Sequence, residues 1–213
     1  IDRSFFEDAK SPVADYSNIA VIAPGVSGGI SANGPGLGET KNSIRGFQDG
    51  QFNVTFDDIP FGDTNGPTHH STSYFPASII DHITVERGPG NASTIGQATF
   101  GGSVNMYSLV PTNDFGVSTF FSLGSWNTQL AGATVNTGTL AALGGAKLLV
   151  TAQDMSSDGY LTNSGVGNKN LTFKYEQPIG SKTLLTIFAS NETNYYYSPD
   201  AGSGITAAQA ALY

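Results

Sequence analysis

The chain has 213 residues and a net charge of −8, from 9 Lys and Arg against 17 Asp and Glu. Charged residues reach only 12%, glycines number 27 and hydrophobics stop at 38%, a composition of strands and turns with little material for a large dry core. The few scattered basic residues argue against nucleic-acid binding, and the absence of Cys removes disulfides and Cys-based metal sites. No apolar run approaches the ~20 residues of a spanning helix, although a β-barrel strand crosses a membrane with about 9–11.

The chain opens at Ile1 without a charged-then-apolar leader; the expectation is a removed signal peptide or a truncated N-terminus. In "SPVADYSNIAVIAPGV", Ala14, Ile19 and Ala20 line a short helix that Pro24-Gly25 stops. "SGGISANGPGLGE" follows as a loop of Gly, Asn and Pro. In "QFNVTFDDIP", Phe52, Val54 and Phe56 alternate with Asn53, Thr55 and Asp57, the period of a strand. "FGDTNGPTHHSTSYFP" is a long polar loop, "ASIIDHITVERG" a short helix or turn entering a strand, and "GGSVNMYS" another strand.

From about residue 113 the pattern changes. "FGVSTFFSLGS", "NTQLAGATVNTG", "GAKLLVTAQD", "KNLTFKYEQ" and "KTLLTIFASNE" are five strands in succession, each near the length of a tilted membrane strand. In the fourth, Leu171, Phe173 and Tyr175 share one face, and Asn170, Thr172, Lys174 and Glu176 the other. "QPIGSK" is a tight turn and "MSSDGYLTNSGVGN" a long polar loop, whereas "GSWN" is short where a long loop is expected of an outer-membrane barrel. Tyr195, Tyr196 and Tyr197 would suit an interfacial aromatic girdle. This half also reads as a β-sandwich with exposed tyrosines.

"NSIRGF", "VTFDDIPFGD" and "IIDHITVERGPGNASTIGQATFGGSVNMYS", in this order over residues 17–110, resemble the plug domain of TonB-dependent outer-membrane receptors. Asp58 departs from the Gly of the family's "V-x-D-G-I-P" turn; "DGYLTN" at 158–163 also looks like the family. The resemblance implies a mixed α+β plug domain (residues 1–112, N-terminus incomplete) followed by antiparallel strands of a transmembrane β-barrel (residues 113–213). The family barrel has 22 strands, so a fragment with about five is expected. The energy-coupling TonB box is not recognisable near Ile1. The implied function is uptake of a scarce nutrient complex through the outer membrane of a Gram-negative bacterium. The implied partners are the TonB energy-coupling protein, outer-membrane lipid and an extracellular ligand: a ferric siderophore by default, with cobalamin or an oligosaccharide as competitors. No catalytic group and no cofactor is implied; a secreted β-sandwich adhesin or carbohydrate-binding module is the alternative.

The resemblance makes Arg87 the plug arginine that pairs with barrel glutamates and holds the plug in place. It makes Arg45 an apex arginine facing the ligand, a structural ion pair being an equal reading, with Phe47 and Gln48 in the same turn. Phe61, Asp63, Asn65, His69, His70 and Tyr74, in the long loop, are the remaining contact candidates. His69 and His70 invite a metal, but neighbours on an extended chain point to opposite sides. Asp63–Gly66 lacks the later carboxylate of a calcium loop. Asp57 and Asp58 fit turn chemistry better than acid–base work. No convergent carboxylates or nucleophile–base pair support a hydrolase.

Overall fold

The computed structural model describes residues 1–64, 66–71, 75–90 and 96–197, with Ala208. Two short helices, α1 (Arg3–Ala9) and α2 (Tyr16–Ala20), lead into an antiparallel pair, β1 (Val26–Gly28) with β2 (Asn42–Ile44). Next comes a four-stranded mixed sheet of β3 (Asn53–Phe56), β4 (Ile59–Pro60), β5 (Ile80–Glu86) and β6 (Ser103–Ser108), in the order β4-β3-β6-β5. β3 runs parallel to β6, and β5 antiparallel to it. The expected turn before β5 is a 3-10 helix, Ala77–Ile79.

The alternation read in these strands places the core. Val54, Phe56, Ile80, Ile83, Val104 and Met106 are buried with Ile19, Ala20 and Ile44. The opposite face of β6 is buried too, and its polar groups pair there: Thr55 Oγ1 donates to Asn105 Oδ1 at 2.9 Å. Asp57 and Asp58 form a two-residue hairpin turn with φ of 48° and 65°. Such turns need positive φ at both central residues, and Asp tolerates it. Gly102 closes the long return from β5 to β6 at φ +121°, where a Cβ would come within 2.0 Å of the Glu86 carbonyl oxygen.

Helix α1 was not expected from the sequence. Its N-cap Asp2 makes no side-chain capping bond, and only Phe6 is buried. Tertiary bonds hold it instead. Arg3 Nη1 donates to Ile80 O at 2.6 Å, and Ile1 and Ile83 exchange backbone hydrogen bonds of 2.7 and 2.9 Å.

The second half is one antiparallel meander: β7 (Phe115–Gly124), β8 (Thr128–Thr137), β9 (Lys147–Ser157), β10 (Val166–Ile179) and β11 (Thr183–Tyr196). These are the five expected strands, with β10 and β11 reaching 14 residues each. The turn of "GSWN" is short because Trp126 and Asn127 both take positive φ.

The alternation of this sheet is inverted relative to a water-soluble one. Along β10, Asn170, Thr172 and Lys174 are buried, whereas Leu171 and Phe173 are 42% and 41% exposed. Their cross-strand neighbours Val150 and Ala152 on β9, and Ala189 and Asn191 on β11, share that outer face. Phe115, Val117, Phe121 and Leu123 on β7 are likewise exposed. The inner face carries a polar ladder: Gln153 to Asn168 (2.8 Å), Asn168 to Glu192 (2.7 Å) and Asn170 to Ser190 (3.0 Å). A sandwich would bury the apolar face of this sheet; here that face is the exposed one.

The first half sits on the polar inner face. Phe56 meets Phe188 at 5.1 Å between ring centroids. Ser78 Oγ donates to Gln153 Oε1 at 2.5 Å. Lys174 Nζ donates to Ser108 Oγ at 2.6 Å and lies 3.8 Å from Asp57 Oδ2. The three tyrosines do not form one girdle. Tyr195 and Tyr197 point outward, and Tyr196, out of phase with both, points inward to Glu39.

Candidate functional site at the upper rim of the plug

One end of the sheet carries the connections 125–127 and 158–165 and the end of β11. Against this upper rim lies a network of charged and aromatic side chains. Glu39 and Lys41, two apart on an extended segment, face the same way. Lys41 Nζ is 3.0 Å from Glu39 Oε1 and 3.0 Å from Asp49 Oδ2, and donates to His69 O at 3.1 Å. Asp49 also accepts from the His69 backbone N–H at 3.0 Å and lies 2.7 Å from His69 Nδ1. His70 spans two carboxylates, with Nδ1 2.6 Å from Glu39 Oε2 and Nε2 3.4 Å from Asp63 Oδ1. Tyr196 OH donates to Glu39 Oε2 at 2.7 Å, and Thr68 Oγ1 to Asp63 Oδ2 at 2.5 Å.

These contacts fix the charges. Burial alone would raise Asp49, but the bonds from His69 and Lys41 outweigh it and hold the carboxyl down at about 2. Burial likewise opposes the bonds from Tyr196, His70 and Lys41 at Glu39, and the net shift is again downward. Lys41 is held above its ordinary value because its bonds to Asp49 and Glu39 outweigh its own desolvation. Beneath the network Asp15, capping α2 through Asn18 N at 2.9 Å, is raised by burial against its hydrogen bonds.

Of the expected contact residues, Phe61, Asp63, His69 and His70 come together here. The His69 ring stacks on Phe52 and meets Phe61 edge-on, with centroids 6.1 and 5.8 Å apart. A cavity of about 320 Å³ lies beside Phe61, Asp63 and His69, and another of about 400 Å³ beside Glu39, Lys41 and Tyr196. The two histidines bind different carboxylates, and among the described residues no three His, Asp or Glu groups converge on a point that would hold a metal ion. Asn65 and Tyr74 lie outside the described residues. Glu39, Lys41, Asp49 and Tyr196 were missed as members; the two-residue spacing of Glu39 and Lys41 was the available signal.

Arg45, Phe47 and Gln48 form a separate group. Ile44 and Phe47 exchange backbone bonds of 2.9 Å, leaving Arg45 at the tip of the turn with φ 52°. Its Nη1 donates to the Arg87 carbonyl at 2.9 Å. Gln48 N is bonded to Gln51 Oε1 at 2.8 Å. Strand β5 starts beside the wall, where Ser78 meets Gln153, and its seven residues carry the chain roughly 20 Å onward to Arg87. Arg45 and Arg87 therefore lie together, at the end of β5 opposite the Ser78–Gln153 contact.

Residues 3–103 match the family described as "TonB-dependent Receptor Plug Domain". No curated protein matches the chain. Among solved structures, the pyoverdine outer membrane receptor FpvA from Pseudomonas aeruginosa PAO1 superposes with a TM-score of 0.73 at 17% identity, over 91% of this chain and 27% of its own. The alcaligin outer membrane receptor FauA from Bordetella pertussis gives 0.71 at 21% identity, over 91% and 31%. The copper transporter OprC gives 0.70 at 16%, over 92% and 31%. The chain thus spans 27–31% of the length of these three. At such identities the likeness is one of fold, and it agrees with the sheet of apolar outer face built around a packed inner domain. Residues 3–103 are a TonB-dependent receptor plug domain, and the chain as a whole has the plug-and-wall fold of TonB-dependent outer-membrane receptors.

Proposed function

We propose that this chain is the plug (residues 1–112) and the opening wall (residues 113–213) of an outer-membrane receptor that imports a scarce nutrient complex with energy delivered by TonB. The carrying observation is the inverted wall. Its apolar outer face suits lipid, and its polar inner face is fastened to a domain that would block the pore such a wall encloses. Among the described residues, strands β7 and β11 each have one neighbour, and an open edge is not tolerated in hydrocarbon, so further strands would close the barrel. The role is transport rather than catalysis: a solute too large for passive pores and too dilute to diffuse in usefully needs a tight site and a driven release.

The ligand would meet the network around Glu39, Asp63, His69 and His70 at the upper rim. Arg87, with Arg45 beside it, would face wall carboxylates on the opposite side and act as the plug lock. A ferric siderophore is the first ligand to test: FpvA is a pyoverdine receptor and FauA an alcaligin receptor, whereas OprC, of similar fold likeness, is a copper transporter. The test is fluorescence titration of the complete receptor with ferric siderophores, cobalamin and oligosaccharides, followed by uptake in cells with and without TonB. Saturable binding and TonB-dependent uptake of one class are expected. Absence of both, with a receptor soluble without detergent, would replace this reading with the secreted binding module.

A further inference from the structure

The plug segment 31–41 is tied to the upper rim at two points. The first is Asn33. A turn from Ser31 to Gly34 presents it: Gly34 N donates to Ser31 O at 3.0 Å, Ser31 Oγ to Gly34 O at 2.9 Å, and Asn33 N to Ser31 Oγ at 3.1 Å. The Asn33 side chain is buried, 128 and 131 residues in sequence from its partners Leu161 and Ser164 in the loop between β9 and β10. Its Nδ2 donates to Ser164 O at 2.8 Å, its Oδ1 accepts from Leu161 N at 3.0 Å, and Ser164 Oγ lies 2.7 Å from the same oxygen. One amide thus satisfies a backbone donor and a backbone acceptor of the loop, as a paired strand would.

The loop is shaped to receive it. Gly159 has φ +77°, and a Cβ there would stand 2.4 Å from Asn33 Nδ2 and 2.2 Å from Ser164 Oγ. Asn163 takes φ 57° in the same loop. Six residues beyond Asn33, Glu39 accepts from Tyr196 at the end of β11. The cavity of about 400 Å³ lies between these two ties.

We propose that Asn33 is a latch that clamps the 158–165 loop to the plug, so that movement of the plug frees the loop. By linkage, an ordered loop holds the plug with the same free energy. Any part the latch plays in uptake rests on the receptor reading above; the clamp itself does not.

Hydrogen exchange on the complete receptor tests the clamp. Asn33→Ala should speed exchange of the 158–165 amides by about 10- to 100-fold, the scale of losing two or three buried bonds, with β5 and β6 amides unchanged. Asn33→Asp keeps the acceptor for Leu161 N and loses the donor to Ser164 O, so a smaller increase is expected, and this variant serves if the alanine form does not fold. Unchanged loop exchange in the variant that folds overturns the clamp. The pair Asn33→Cys with Ser164→Cys then tests opening: the oxidised receptor should bind a ferric siderophore but import it only after reduction. Import at the normal rate while oxidised overturns the link to plug movement. No import in any form, reduced or unmodified, would instead count against the receptor reading.

Discussion

Lys174→Met probes the attachment of plug to wall most sharply. Lys174 is 8% exposed and reaches from β10 to Ser108 Oγ at 2.6 Å, while Ser108 Oγ donates on to Asp57 Oδ2 at 2.6 Å. Methionine fills a similar volume without donor or charge. A hydrogen bond to a charged group contributes about 1.5–3 kcal/mol. The 3.8 Å approach to Asp57 adds a gross attraction of about 4 kcal/mol at an effective dielectric near 20, and desolvation of the ammonium cancels most of that. Asp57 is not orphaned by the change, since the Ser108 N–H still donates to it at 2.8 Å. The net loss is therefore about 2 kcal/mol, roughly a 30-fold shift in the plug's equilibrium. The assay is urea unfolding of the plug, followed by a label on β5 in the complete receptor while the barrel stays folded. Asp57→Asn should cost about 1 kcal/mol, and the double mutant should show a coupling near 1 kcal/mol. Coupling below about 0.3 kcal/mol would refute the reasoning, because the two residues would then act independently.

Other changes have equally definite outcomes. Gly102→Ala places a Cβ 2.0 Å from the Glu86 carbonyl oxygen at φ +121° and should destabilise the plug by more than about 2 kcal/mol, read as a lower urea midpoint with the barrel unaffected. Phe173→Arg on the outer face should cost about 2–4 kcal/mol near the bilayer midplane and reduce the folded, heat-resistant fraction on gels, whereas Phe173→Leu should not. Asp49 is depressed to about 2 in the folded state from 3.8. Its contribution is complete above pH 3.8 and lost as pH falls toward 2. Plug stability should decline across that window, and Asp49→Asn should flatten the decline; an unchanged pH profile would remove Asp49 from the network.

The wall was legible because period-two alternation is local: Leu171, Phe173 and Tyr175 against Asn170, Thr172 and Lys174 are visible without coordinates. Which face looks outward is not local, since it depends on what the inner face touches. The same alternation could have separated Tyr196 from Tyr195 and Tyr197, but a run of three aromatics reads first as a girdle. The β3–β4 turn was legible in Asp57 and Asp58 despite the missing glycine. Helix α1 was not, because Arg3 and Ile1 hold it through bonds to residues about 80 positions away. For the rim network, the loop offered Phe61, Asp63, His69 and His70. Their partners Glu39 and Lys41 lie some thirty residues earlier, and only the folded plug brings them into reach. Arg45 was grouped with the apex by its motif, which gave no sign of its bond to the Arg87 carbonyl 42 residues later.

The central claim is that a plug lies against the polar side of a wall whose other side faces lipid. Single fluorophores at 170, 171, 172 and 173 on β10, in the complete receptor reconstituted with quencher-bearing lipid chains, test it directly. Strong quenching at 171 and 173 with little at 170 and 172 is the predicted result. Equal quenching at all four positions, or the opposite alternation, would contradict it.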